Sequence, residues 1–158
     1  MKTNLLLPNQ FKRIGWYILI PTAILGLLII FFDFEFGLLK IKVFSIFSSG
    51  ILKPGTFFET TKNNITDEIA AILFIIGAIF VAFSKEKYED EFIAKNRLES
   101  LVWATYINYA VLLFCIIFFY ELEFLTVMVL NMFTILIFFI IRFYYVIYKS
   151  KKAMSHEK

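Results

Sequence analysis

"IAAILFIIGAIFVAF", residues 69–83, is a run of fifteen residues without a charge, and whether it crosses a bilayer decides the fold. A hydrocarbon layer about 30 Å thick takes about 20 apolar residues, with a range of about 17 to 25. By itself the run is therefore ambiguous between a span and a buried segment. Its upstream flank, "NNITDEI", resolves the ambiguity. Asn64 or Thr66 can cap a helix there, and Asp67 and Glu68 fall in a first turn, where carboxylates favour the positive end of the helix dipole. With its flanks the segment becomes a span over 67–84 of about 18 residues, roughly 27 Å at 1.5 Å per residue.

Working outward, the run gives way to "SKEKYEDEFIAKNRLES", which places nine charged side chains between Lys85 and Glu99. Beyond it "SLVWATYINYAVLLFCIIFFY", 100–120, reads as a third span, and 124–145 as a fourth, with Arg142 near its end. Only "ELE", 121–123, separates these two, so they form a tight antiparallel hairpin. Upstream, "IGWYILIPTAILGLLIIFF", 14–32, is a first span interrupted by Pro21, which a membrane helix tolerates when neighbours re-satisfy the freed carbonyl. Its apolar core is longer than that of a signal peptide and it ends in "DFEF" rather than in a small-residue cleavage site, so it is expected to be retained.

Composition agrees with four crossings. The chain of 158 residues is 60% hydrophobic and 20% aromatic, with mean hydropathy +0.78, whereas soluble domains use about 45 to 50% apolar residues. Four spans and their connections consume nearly all of it, which argues against a soluble enzyme domain. The 21 Phe and 8 Tyr could stack on nucleobases, but a net charge of +3 supplies no basic groove, so no nucleic-acid partner is expected. Cys115, the single cysteine, lies inside an apolar run and reads as a small buried hydrophobe.

The Lys and Arg count sets the orientation. With the N-terminus inside, twelve of the sixteen fall on cytoplasmic segments: Lys2, Lys12, Arg13, Lys85, Lys87, Lys95, Arg97, Arg142, Lys149, Lys151, Lys152 and Lys158. The remaining four, Lys40, Lys42, Lys53 and Lys62, lie in the connection 33–66. If 67–84 did not span, the charged block and the basic tail, 146–158, could not both share a side with the N-terminus. In the outer connection "LKIKV" alternates like an edge strand, and "SSG" and "KPG" read as turns. Ile46, Phe47, Ile51, Leu52, Phe57 and Phe58 are too apolar for a free loop, so the segment is expected to fold back or lie in the interface.

The charged block, 85–99, reads as a turn followed by a helical extension of the third span. Asp90 can cap that extension, and Glu91, Lys95 and Glu99 stack at four-residue spacing on one face, each pair contributing roughly 0.2 to 0.5 kcal/mol. "EKYEDE" lacks the calcium-loop pattern, and the only histidine is His156 in the tail, so neither a metal site nor a cofactor is expected. Solvated carboxylates with no apolar wall do not make an acid/base pair either. Two readings remain: a solvated hairpin tip, or a surface formed by Glu91, Lys95 and Glu99 that docks a cytoplasmic protein.

Within the spans the informative residues are polar. Thr105 and Asn108 on the third span, and Asn131 and Thr134 on the fourth, each need a partner in hydrocarbon. Measured from the span midpoints, the two Asn fall on opposite sides of the midplane, so pairing requires an offset between helices. Interhelical packing is one reading and a solute or ion path is the other. Arg142 can snorkel to headgroups or pair with Glu99. Ala78 and Ala82 beside Gly77, and Ala23 with Gly26, offer close helix contacts, including one through which a homo-oligomer could form.

The stretches "AFSKEKYEDEFIAKNRLESLVWATYINY" and "NMFTILIFFIIRF" resemble a family of small, uncharacterised bacterial membrane proteins with four helices, often encoded beside a helix-turn-helix regulator. The resemblance covers about residues 64–148, implies a bacterial inner (cytoplasmic) membrane and carries no catalytic residue. The expectation is an all-α, polytopic membrane protein. It is a four-transmembrane-helix bundle in the lipid bilayer, with both termini cytoplasmic and the third helix extended into the cytoplasm. No enzymatic activity is expected, and a small transport or channel component is the alternative to a docking protein.

Overall fold

The protein is described from a computed structural model, which covers residues 6–32, 40–50 and 53–156. Four helices dominate: α1 (Asn9–Phe32), α2 (Thr66–Phe83), α3 (Glu91–Phe118) and α4 (Glu121–His156). Each is long and apolar enough to cross a membrane. Lys2, Lys158, Ile51 and Leu52 lie outside the described residues, as do the side chains of Ile46, Phe47 and Phe57.

The helix boundaries follow from where the sequence supplies starts and stops. Asn64 caps α2: its Oδ1 accepts the Thr66 backbone N–H at 3.1 Å and the Thr66 hydroxyl at 2.6 Å. Asp90 caps α3 from an extended backbone (φ −119°, ψ 178°), accepting the Ile93 N–H at 2.8 Å. No Gly or Pro follows Gly77 in the chain, so helix is interrupted downstream only at the charged turn 84–90 and at Phe119 and Tyr120. The α3–α4 turn is thus shorter than the sequence reading drew it. "ELE" is not the connection but the first turn of α4, where Glu121 and Glu123 sit at the positive end of the dipole. At the other end the basic tail does not leave the helix: α4 runs for 36 residues, and Lys149, Lys151 and Lys152 favour its negative end. Likewise α1 starts at Asn9 rather than at Ile14, and Pro21 lies inside it.

Two compact units divide the chain, residues 19–74 and the remainder. In the first of these, the long connection contains an element beyond the helical class. β1 (Lys40–Gly50) pairs antiparallel with β2 (Lys53–Asn64), in a register running from Lys40↔Asn64 to Gly50↔Lys53 with an irregularity at Ser48 and Gly50. The alternation of "LKIKV" is the part of this hairpin visible in the sequence. Among the described residues of the unit 19–74, Leu19 and Thr22 of α1 and Thr66, Ala70 and Phe74 of α2 are buried.

The other unit holds the lower turns of α1, the second half of α2, and all of α3 and α4. Small residues let these helices approach. A Cβ on Gly15 would come within 2.8 Å of the Phe80 Cβ and 2.9 Å of the Val81 backbone N, so only glycine fits that α1–α2 crossing. Gly26, by contrast, has nothing within 4 Å of such a Cβ and marks no close approach. Gly77, Ala78 and Ala82 are buried within the chain itself. The aromatic centre is a stack in which Phe139 lies 5.7 Å from Phe83 and 5.8 Å from Phe143, both α4 rings being fully buried.

Candidate functional site

The charged turn after α2 is tied down rather than loose. Leu7 bridges in parallel to Ser84, its N–H donating to the Phe83 carbonyl at 3.0 Å and its carbonyl accepting from the Lys85 N–H at 2.9 Å. Asn9 Nδ2 donates to the Lys85 carbonyl at 2.6 Å. Lys12 on α1 places its Nζ 2.7 Å from both carboxylate oxygens of Glu86 and 4.7 Å from the Tyr144 ring centre. The Glu86 N–H donates to Glu89 Oε2 at 2.8 Å, and Glu89 in turn accepts from Arg97 at 2.6 and 3.3 Å.

Arg97 is the keystone of this layer. It is only 8% exposed, its Nη2 also donates to the Ser84 carbonyl at 3.2 Å, and its guanidinium carbon lies 5.1 Å from the Phe143 ring centre. Burying a guanidinium is costly unless a carboxylate and hydrogen bonds accompany it, and both are present here. The Arg97 Nε and the Ser84 hydroxyl remain without a partner. One residue earlier, Asn96 Nδ2 donates to the Phe143 carbonyl at 3.2 Å and its Oδ1 accepts from Ser100 at 3.2 Å. Polar groups from α1, the turn, α3 and α4 therefore share one layer at the end of the helices.

Deeper in the hairpin, Asn108, Asn131 and Thr134 meet. The two Asn side chains exchange hydrogen bonds at 3.2 and 3.3 Å, and the Thr134 hydroxyl donates to Asn108 Oδ1 at 2.5 Å. Their pairing needs no offset once register is measured from the true turn. Asn108 lies eleven residues before Phe119 and Asn131 eleven after Tyr120, so both stand about 17 Å from the turn. Midpoints of hydropathy segments displace them, because "ELE" reads as loop but is helix. Thr105 stands apart from this cluster and donates to the Leu101 carbonyl of its own helix at 2.9 Å. The amides and the hydroxyl bond one another across the two helices, the arrangement expected of a helix contact.

The three residues of the docking face are exposed at the start of α3. Lys95 and Glu99 pair at 3.8 Å with side chains 77% and 55% exposed, while among the described residues Glu91 forms no such pair. Arg142 does not pair with Glu99; its guanidinium lies over Trp103, 4.9 Å from the ring centre. No group of three His, Cys, Asp or Glu that could hold a metal occurs among the described residues, and Cys115 is buried.

The residues that sequence reasoning missed are those of the basal layer. Asn96, Ser100, Ala104 and Asn108, all buried, recur at every fourth position of α3. A small or polar residue at that spacing in an apolar helix signals a face pressed against a neighbour, and it places Asn96 and the adjacent Arg97 toward the interior. No known family matches the chain, and no curated protein or solved structure is similar to it.

Proposed function

We propose that the chain is a multi-pass protein of the bacterial inner membrane with both ends cytoplasmic, and that it works by docking a cytoplasmic protein rather than by catalysis. The observation that carries this reading is the length of the α3–α4 hairpin. Counted from the turn at Phe119 and Tyr120, about 20 residues of each helix fill a layer about 30 Å thick. That leaves 91–98 of α3, about 12 Å, and 142–156 of α4, about 22 Å, projecting beyond it. The projection holds Glu91 and Lys95, with Glu99 at its base, together with exposed Phe92 and Leu98, and the exposed Tyr88 lies in the turn before it. It is anchored at its base by the ion pair of buried Arg97 with the partly exposed Glu89 side chain.

A rigid charged helix end with aromatic neighbours suits protein recognition, in which aromatic anchors and polar rims divide affinity and specificity. A transcription regulator is the partner class that the sequence resemblance implies. The test is affinity purification from mild detergent with protein identification by mass spectrometry, comparing wild type with Glu91→Gln/Lys95→Gln. A reproducible partner lost in the variant, at unchanged thermal stability, supports docking. A wild-type chain that enriches nothing, or a variant that keeps its partner, refutes it.

A further inference from the structure

The outer face of the α3–α4 hairpin carries a shallow groove of about 390 Å³ lined by Leu98, Glu99, Val102, Trp103, Tyr106 and Arg142. The α3 residues follow one another at three- and four-residue steps, so the groove runs along the helix for about two turns, roughly 12 Å. Among the described residues nothing covers it: Leu98 is 64% and Tyr106 73% exposed.

Its two charges stand at one depth. Glu99 lies twenty residues before Phe119, and Arg142 twenty-two after Tyr120. Both are thus about 30 to 33 Å from the turn, the thickness of a hydrocarbon layer. Val102 and Tyr106, nearer the turn, fall at acyl-chain depth. The groove is therefore polar where headgroups lie and apolar where chains lie.

Neither charge is committed to a strong partner. Among the described residues Arg142 meets only the Trp103 ring, which leaves its donor fork free for an anion. Glu99 has only the long, exposed contact with Lys95 at 3.8 Å, a surface pair that exchanges readily. A simple anionic headgroup would gain Arg142 but be repelled by Glu99. A zwitterion matches both.

We infer that this groove binds a phospholipid with a primary-amine headgroup of the ethanolamine class. The phosphate accepts from the Arg142 guanidinium, the ammonium donates to the Glu99 carboxylate, and one acyl chain lies along Val102 and Tyr106. A choline headgroup carries the same charges but has no N–H to donate, so it fits less well. The inference rests on the membrane reading of the hairpin and is independent of any docked protein.

The test uses the full chain, delipidated in detergent and titrated with phosphatidylethanolamine, phosphatidylglycerol and phosphatidylcholine of identical acyl composition, with adducts counted by native mass spectrometry. Phosphatidylethanolamine should bind about fivefold or more above the other two. Arg142→Gln should weaken all three by about tenfold, Arg142→Lys should keep most of the binding, and Glu99→Gln should bring phosphatidylethanolamine down to the level of phosphatidylglycerol. Melting of each variant at the wild-type temperature shows that the helices are intact. Equal binding of the three lipids overturns the inference. So does preference for phosphatidylglycerol, indifference to Arg142→Gln or Glu99→Gln, or a dimer that excludes lipid until Tyr106→Arg dissociates it.

Discussion

Removing Glu89 should destabilise the protein more than removing Arg97, and removing both should cost less than removing Glu89 alone. The asymmetry follows from exposure. The Arg97 side chain is 10% exposed and that of Glu89 24%. In Glu89→Ala the guanidinium loses its contacts at 2.6 and 3.3 Å and keeps only the Ser84 carbonyl and the Phe143 ring face. Orphaning a buried ion typically costs about 3 to 5 kcal/mol, and the partial access of water to this pair puts the expectation near the lower end, about 3 kcal/mol. In Arg97→Met the thioether enters an apolar wall formed by Phe83, Ala94, Leu98 and Leu101, while Glu89 still reaches water and accepts the Glu86 N–H. That change should cost about 1 kcal/mol. Glu89→Ala/Arg97→Met leaves no buried orphan and should recover about 2 kcal/mol relative to Glu89→Ala. Unfolding in mixed micelles of rising dodecyl sulfate fraction, followed by circular dichroism and by exposure of the buried Cys115 thiol, measures all three. A cost under about 0.5 kcal/mol for Glu89→Ala would show the pair to be an ordinary surface bridge. A double variant weaker than Glu89→Ala would refute the claim that the guanidinium is the buried liability.

Two further substitutions probe the helix contacts. Asn108→Leu removes the three hydrogen bonds joining Asn108 to Asn131 and Thr134; at an average of about 0.6 kcal/mol each, the same unfolding assay should show a loss of roughly 2 kcal/mol, and a neutral result would mean the trio does not hold the hairpin together. Gly15→Leu drives a side chain into Phe80 and Val81 and should destabilise by about 1 to 3 kcal/mol, whereas Gly26→Leu, with open space beside it, should leave the melting temperature unchanged; equal effects at the two glycines would contradict the α1–α2 crossing.

The spans were legible because hydropathy and length are properties of single segments. Asn64, Thr66 and Asp90 could be recognised as helix starts for the same reason: a cap is a contact within three residues. What the sequence concealed depends on residues far apart in the chain. Arg97 reads as one more cytoplasmic cation until Glu89, Ser84 and Phe143 surround it, and Phe143 is 46 positions away. Lys12 and Glu86, separated by 74 positions, carry no shared local signal at all. The Asn108 and Asn131 register failed for a smaller reason. Polarity suggests a loop at "ELE", although acidic residues suit the first turn of a helix, and a shift of three residues moves a position by about 4.5 Å along the axis. The β1–β2 hairpin is half visible: alternation shows over "LKIKV", whereas "SSG" and "KPG", which read as turns, are the end of β1 and the start of β2.

The distribution of satisfied and unsatisfied polar groups bears on what kind of activity the fold supports. Asn108, Asn131 and Thr134 bond one another at the middle of the hairpin, so a solute path there would have to break those bonds. Among the described residues, the groups at the start of α3 and along α4 that can form new contacts include Glu91, the weakly paired Lys95 and Glu99, and Arg142 above its aromatic ring. On the proposed membrane placement all four stand at or beyond the edge of the apolar layer, where lipid headgroups and water-soluble proteins are available partners. The basal ion pairs keep that end in fixed register with the spans, and a fixed array of exposed charges favours recognition because little ordering remains to be done on binding.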